Sequence, residues 1–187
     1  MATSKSFSAG EIEAAISRLA AAMAESHAAT KNLVLLGIAN GGLELARRLR
    51  ERIAGLRPQL AVKAGVLDIS FHRDDIGRHP IPKEFAPTHI PADVHGAMIV
   101  LVDDVLFSGR TVKAALDELF DHGRPTKVEL AVLVDRGGRR MPFAADYVGL
   151  TLTIEGDQKV VVALDPQNPK RDTIRLEAKN AATHSPF

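Results

Sequence analysis

Asp103 and Asp104 close an apolar run, Ala97-Met98-Ile99-Val100-Leu101-Val102, and a few residues later the chain reads Ser108-Gly109-Arg110-Thr111. Adjacent carboxylates suit sugar hydroxyls or Mg2+, a cation that takes oxygen ligands and shares them with substrate phosphates. A Ser-Gly turn that opens a helix points backbone N–H groups outward, where they hold a phosphate. The two halves together fit a sugar phosphate. Two aspartates after a strand can instead be a helix cap plus a surface charge, but the flanking strand and the Ser-Gly-Arg-Thr turn argue against that. The stretch lacks the Gly-Lys-Ser/Thr ending of a nucleotide P-loop, which weakens an ATPase reading.

These residues need a strand, a loop and a helix to position them. The apolar run has the composition of a strand buried on both faces. Thr111 opens a helical pattern that ends at Gly123, a good residue for a helix terminus, with Pro125 just beyond. Two other strands end in chemically promising loops. Leu33 to Ile38 runs into Ala39-Asn40-Gly41-Gly42 and then a helix from Leu43 to Ala54, whose outer face is basic through Arg47, Arg48, Arg50 and Arg52. Lys127 to Val134 runs into Asp135-Arg136-Gly137-Gly138-Arg139-Arg140. In open parallel sheets ligands bind beyond the carboxyl ends of the strands, so the three loops are expected to converge.

The remaining pattern completes an α/β domain with a central, mainly parallel, Rossmann-like sheet flanked by helices. Ser8 and Glu11 fit a capping box, followed by Ile12, Ile16, Leu19 and Met23 at helical spacing to about Ala28. Ala61 to Phe71 reads as a second strand. Tyr147-Val148-Gly149, Lys159 to Leu164 and Thr173 to Glu177 read as shorter strands at the sheet edge or in a small cap built from the terminal segments. From His72 to Gly96 the chain has four prolines and no periodicity, which predicts a flexible active-site loop. Within it, Arg73 is placed to meet a pyrophosphate or to pair with Asp74 or Asp75. Residues 1–7 and about 180–187 read as loose tails.

At 187 residues the chain fits one domain, and its net charge of +1 demands neither nucleic acid nor an anionic membrane. The absence of cysteine excludes disulfides and thiolate metal sites. No apolar run approaches the roughly 18 residues of a membrane span, and no signal-peptide pattern opens the chain, so a cytoplasmic location is expected. The seven histidines show no metal-binding spacing and read as scattered surface residues.

The stretch from Ile99 to Thr111 resembles the phosphoribosyl-pyrophosphate (PRPP) signature of type I phosphoribosyltransferases. With Asp68-Ile69-Ser70-Phe71-His72-Arg73-Asp74-Asp75, Gly123-Arg124-Pro125 and Leu130 to Gly137, the chain resembles the PyrR family over residues 12–165. The resemblance implies a Mg2+-dependent uracil phosphoribosyltransferase that makes UMP, with a metal held mainly through substrate. Asp103 and Asp104 would hold the ribose hydroxyls; Val105, Leu106, Phe107, Ser108, Gly109, Arg110 and Thr111 would cradle the 5-phosphate. Ala39, Asn40, Gly41 and Gly42 would form the pyrophosphate loop, and backbone groups of Val134, Asp135, Arg136 and Gly137 would read the base. A homodimer or homotetramer is implied as well.

The family also includes attenuators of pyrimidine genes that bind RNA in response to UMP. Arg18, in a Ser17-Arg18 pair, and Arg139 keep counterparts of their RNA-contacting residues. Ala21, Ser26, Ala144 and Leu150 stand where the family carries cations or histidine, a pattern expected to weaken RNA binding strongly. Two other departures bear on catalysis: Asn40-Gly41-Gly42 replaces a Thr-Arg-Gly run, and Gly138 stands in place of histidine. A purine-specific transferase, or a member that binds nucleotides only to assemble with a partner, are the remaining alternatives.

Overall fold

The computed structural model describes residues 6–72, 87–154 and 158–178. Arg73, Asp74, Asp75, most of the expected loop and the 180–187 tail lie outside them. The elements run β1 (Ser6–Phe7), α1 (Ala9–Ser26), β2 (Asn32–Ile38), α2 (Gly42–Leu56), β3 (Ala61–Leu67), β4 (Met98–Leu106), α3 (Arg110–Asp121), β5 (Lys127–Asp135), β6 (Tyr147–Thr151), β7 (Gln158–Ala163) and β8 (Thr173–Ala178), with a short 3-10 turn at Pro169–Arg171.

Five strands form one parallel sheet in the order β3-β2-β4-β5-β6. The chain starts this sheet at β2, adds β3 on one side and then crosses to β4 on the other, so the topological switch point lies between β2 and β4. The near-continuous apolar runs of β2, β4 and β5 follow from this placement, because each is covered on both faces. On one face α1 and α2 pack through Ile12, Ile16, Leu19, Leu45 and Leu49 against Leu33, Leu35, Val100, Val102, Ala131 and Leu133. On the other, α3 contributes Val112, Ala115 and Leu119 against Val34, Leu36, Ile99, Leu101 and Val132.

Residues 90–97 also cover that second face through Ile90, Ala92, Val94 and Ala97. Within the expected flexible loop, this described part is pinned: His89 pairs with Val66 in an antiparallel bridge, and Thr88 Oγ1 accepts from the amide of Asp68.

The cap is a second, antiparallel sheet in the order β1-β8-β7. Ser6 and Phe7, read from sequence as loose tail, are its edge, paired with Arg175 and Ile174. Arg48 fastens the cap to α2. It is 2 % exposed rather than on a basic outer face, and it donates to Asp172 (2.5 and 3.1 Å), Glu44 (2.6 Å) and the carbonyl of Asp165 (2.7 Å). Of the other outer-face arginines, Arg52 meets Glu13, Arg47 bridges Glu44 and Glu51, and Arg50 lies 3.6 Å from Glu51.

Three of the boundaries that differ from the sequence reading do so for a clear local reason. β3 stops at Leu67 instead of Phe71 because Asp68 Oδ1 accepts from both the amide and hydroxyl of Ser70, which turns the chain. β4 continues past the two acids to Leu106 because β5 keeps pairing with it through Val105–Val134 and Leu106–Asp135. α3 starts at Arg110, one residue early, from Gly109 at φ 90°.

Candidate active site at the carboxyl edge of the sheet

The acid pair sits where β4 loses one neighbour. Pairing of β4 with β2 ends at Val102, whereas pairing with β5 runs on to Leu106. Asp103 and Asp104 therefore border the opening between β2 and β4. Asp104 follows Val100 and Val102 onto the α1/α2 face, against Gly41, and the Asp103 carboxyl lies within hydrogen-bonding reach of it, so the two acids form a pair.

The loop Ala39–Gly42 closes over this opening at backbone distance. A Cβ on Gly41 would lie 2.5 Å from Cγ of Asp104, and one on Gly42 would lie 1.9 Å from the carbonyl oxygen of Val102. The Gly-Gly pair is thus a packing requirement that brings main chain against the acid. The Ala39–Asn40 peptide is cis, and the amide of Ala39 donates to the carbonyl of Leu67 (3.0 Å).

Burial governs the electrostatics. Asp103 is 5 % exposed; its carboxylate accepts from the amide of Asp104 at 2.9 Å. Burial, then the neighbouring Asp104, hold Asp103 well above the usual carboxylate range. Burial raises Asp104 too, against the opposing pull of its hydrogen bonds and of the Lys159 charge on β7. Lys159 is a residue the sequence reading missed: strand alternation alone does not show that the cap overhangs the acids. A pair of desolvated carboxylates with raised proton affinity is a fitted place for a hard divalent cation or for the hydroxyls of a cation-bound sugar.

The loop at Phe107–Gly109, expected from sequence to cradle a phosphate, is locked to the loop after β5. The amides of Arg140 and Met141 both donate to the carbonyl of Ser108 (3.0 Å each). Arg139 reaches back to the carbonyls of Phe107 (2.9 Å) and Leu106 (3.3 Å) while donating to Asp135 Oδ2 (2.5 Å) and the carbonyl of Phe143 (3.1 Å). The guanidinium of Arg136 lies 3.9 Å over the Phe107 ring. Gly138, at φ 75°, lets that ring pack against the main chain, since a Cβ there would stand 2.6 Å from it. The substitution of glycine for the histidine implied by resemblance thus has a steric partner in Phe107.

α3 leaves this locked loop with no side-chain hydrogen bond from its N-cap, and α2 leaves the Gly-Gly loop in the same way. The first amides of a helix lack partners within it and carry a partial positive charge. Ser108 Oγ accepts from the amide of Arg110 at 3.4 Å.

The structure thus brings Ala39–Gly42, Asp103–Thr111 and Asp135–Gly137 to one edge. Three main-chain groups expected to read a base are engaged within the fold: the Arg136 amide donates to Leu106, the Asp135 carbonyl accepts from Leu152, and the Gly137 amide donates to Asp135 Oδ1. Arg18 is exposed and donates to the carbonyl of Gly149 (3.2 Å), while Arg139 is spent on the loop lock. Among the described residues no helix is long and apolar enough to cross a membrane.

Comparison with known proteins agrees with this geometry. Residues 7–168 match the phosphoribosyl transferase domain. The chain is similar to the bifunctional protein PyrR of Streptomyces coelicolor, with 46% identity over 173 residues covering 92% of this chain and 88% of that one. It is likewise similar to the bifunctional protein PyrR of a Geobacter strain, with 42% identity over 163 residues covering 87% and 92%. Among solved structures, the hypoxanthine phosphoribosyltransferase of Trypanosoma cruzi shares the fold at a TM-score of 0.67, with 22% identity and coverage of 92% and 95%. A hypoxanthine-guanine phosphoribosyltransferase of Bacillus anthracis does so at 0.62, with 20% identity and coverage of 82% and 83%. A parallel sheet whose switch point carries an acid pair and two glycine-led helix starts, in a chain this similar to PyrR proteins, makes it a member of the PyrR family of phosphoribosyltransferases.

Proposed function

We propose that the chain transfers the 5-phosphoribosyl group of PRPP to uracil, giving UMP and pyrophosphate. The observation that carries this reading is the desolvated acid pair of Asp103 and Asp104 at the switch point, between two glycine-led helix starts. Asp103 and Asp104 bind the ribose 2- and 3-hydroxyls and, with them, the side of the substrate that carries Mg2+. Bound Mg2+ supplies Lewis-acid stabilisation of the departing pyrophosphate.

The chain's own groups do the rest by positioning. Amides at the start of α3 and the hydroxyls of Ser108 and Thr111 hold the 5-phosphate, and that remote binding energy orients the ribose for attack by the base nitrogen. The Asn40-Gly41-Gly42 main chain takes the pyrophosphate side without an arginine. The loop lock through Phe107, Gly138 and Arg139 keeps phosphate and base subsites at fixed separation, as a near-attack geometry requires. No side-chain nucleophile is needed; catalysis is placement plus charge stabilisation.

Incubation of the purified chain with PRPP, Mg2+ and a panel of uracil, hypoxanthine and guanine tests this. UMP formed from uracil alone is the expected product; IMP or GMP instead would reassign the base, and no nucleotide from any base would remove the catalytic reading. The second reading, a UMP-responsive RNA binder, loses support from the inward use of Arg139. A salt-sensitive, UMP-strengthened shift of the chain's own leader transcript would restore it.

A further inference from the structure

A second cluster of potential ligand atoms lies at the far end of α3, away from the acid pair. Nε2 of His72 stands 3.1 Å from Glu118 Oε2 and 3.5 Å from Asp121 Oδ2. The ligand atoms of these three residues all lie within 4.8 Å of one another. One imidazole nitrogen carries at most one proton, so it serves one acceptor well. Two carboxylates converging on it have the arrangement of donors around a cation. A tetrahedral ion with bonds of about 2.0–2.2 Å spaces its ligand atoms roughly 3.3 Å apart, and the two separations bracket that value.

The cluster is also supported from behind. The other oxygen of Glu118 accepts from Thr88 Oγ1 at 2.6 Å and faces His122 Nε2 at 3.1 Å. Such hydrogen bonds fix the orientation of a ligating carboxylate. Glu118, Asp121 and His122 share one helical face by their spacing of three and four. His72 comes from the turn after β3, about 46 residues earlier in sequence. Periodicity within one element cannot reveal a site split in this way, which is why the histidines read as scattered.

We propose that His72, Glu118 and Asp121 bind a divalent transition ion of the zinc class, with His122 supporting Glu118 from behind. Imidazole with carboxylates suits Zn2+, whereas Mg2+ favours an all-oxygen shell, so this site is chemically distinct from the one that takes metal-bound PRPP. The ion ties the chain leaving β3 to the helix that begins at the phosphate loop.

The test uses the full, tag-free chain stripped of metal, titrated with Zn2+ under excess Mg2+, and with Co2+ as a spectroscopic probe. A single equivalent of Zn2+ is expected, with Co2+ giving the visible bands of a four-coordinate ion. His72→Ala and Asp121→Asn, at partly and largely exposed positions, are expected to abolish that equivalent while keeping the wild-type circular dichroism. His122→Ala is expected to weaken binding about tenfold. No stoichiometric uptake by the wild-type chain, the outcome for a cluster held by ion pairs alone, overturns the proposal. Undiminished uptake by His72→Ala does the same.

Discussion

The carboxylates of Glu129 and Asp104 lie on the same face of the central sheet, roughly 13 Å apart along adjacent strands by strand rise, and they are treated in opposite ways. Glu129, beside Val100 near the start of β5, is buried among partners. His27 Nε2 stands 2.9 Å away, the Tyr147 hydroxyl donates at 3.0 Å and Lys127 Nζ lies at 2.5 Å from its second oxygen. Burial pushes Glu129 up, but Lys127, Tyr147 and His27 outweigh it and its pKa ends below the usual value. Asp103 and Asp104 have each other and a few amides, and theirs end above it. A satisfied acid stabilises the fold. An acid left short of partners costs the fold stability, which fits the proposed binding of a cation-bound sugar there.

Helix starts repeat the contrast. α1 begins with a complete capping box: Ser8 Oγ accepts from the amide of Glu11 (3.3 Å), and Glu11 accepts from the amide of Ser8 (2.8 Å). α2 and α3, which begin at the switch point, start from glycines without such a cap.

The largest expected effect on stability is at the satisfied site. Glu129→Ala leaves the buried His27 ring and Tyr147 hydroxyl without their acceptor and should cost about 3 kcal/mol, read by chemical denaturation, with PRPP affinity of the folded fraction unchanged. An equal loss of PRPP binding would erase the distinction between the two sites. Asp104→Asn should do the reverse: phosphoribosyl transfer falls about 10²–10³-fold while the melting temperature rises by about 2–4 °C, the shift of ~1 kcal/mol in a chain of this size.

The pH dependences carry opposite signs. A raised carboxylate binds more protons in the native state, so its penalty is absent below about pH 3.8 and grows as pH rises through the folded value. The stability gained by Asp104→Asn should therefore increase from acid to neutral pH. The depressed Glu129 contributes stability above about pH 4.5 that is lost as pH falls through its lower folded value. The deficit of Glu129→Ala should correspondingly shrink in acid. Thermal melts of both variants across that range check the two signs.

A smaller effect is expected at the loop lock. Gly138→Ala forces a Cβ against Phe107 at a positive φ and should cost about 1–3 kcal/mol, with KM for PRPP and base rising together. Ser8→Ala removes one cap bond, should cost about 1 kcal/mol and should leave turnover unchanged.

Much of this architecture is legible in the chain. The apolar runs 33–38, 97–102 and 127–134 mark the buried strands, the Ser8/Glu11 box marks the start of α1, and the loops after those strands do meet. What periodicity cannot show is partnership across distant segments. Arg48 looks like one of four surface arginines until Asp172, from the cap, is folded onto it. His27 looks like a surface histidine until Glu129 and Tyr147 close around it. The extension of β4 through Asp103 and Asp104 is decided by β5 rather than by the acids' own strand propensity, which is poor.

On the proposed function, the acid pair binds metal-bound PRPP. Calorimetric titration of PRPP with Mg2+ into wild type and Asp104→Asn, at mildly acidic pH and in two buffers of different ionisation heat, tests it most directly. Wild type should bind one equivalent and release protons, because the ligand displaces those held by the raised carboxylates, whereas the variant should bind far more weakly and release fewer. Equal affinity and equal proton release in the two proteins would contradict it.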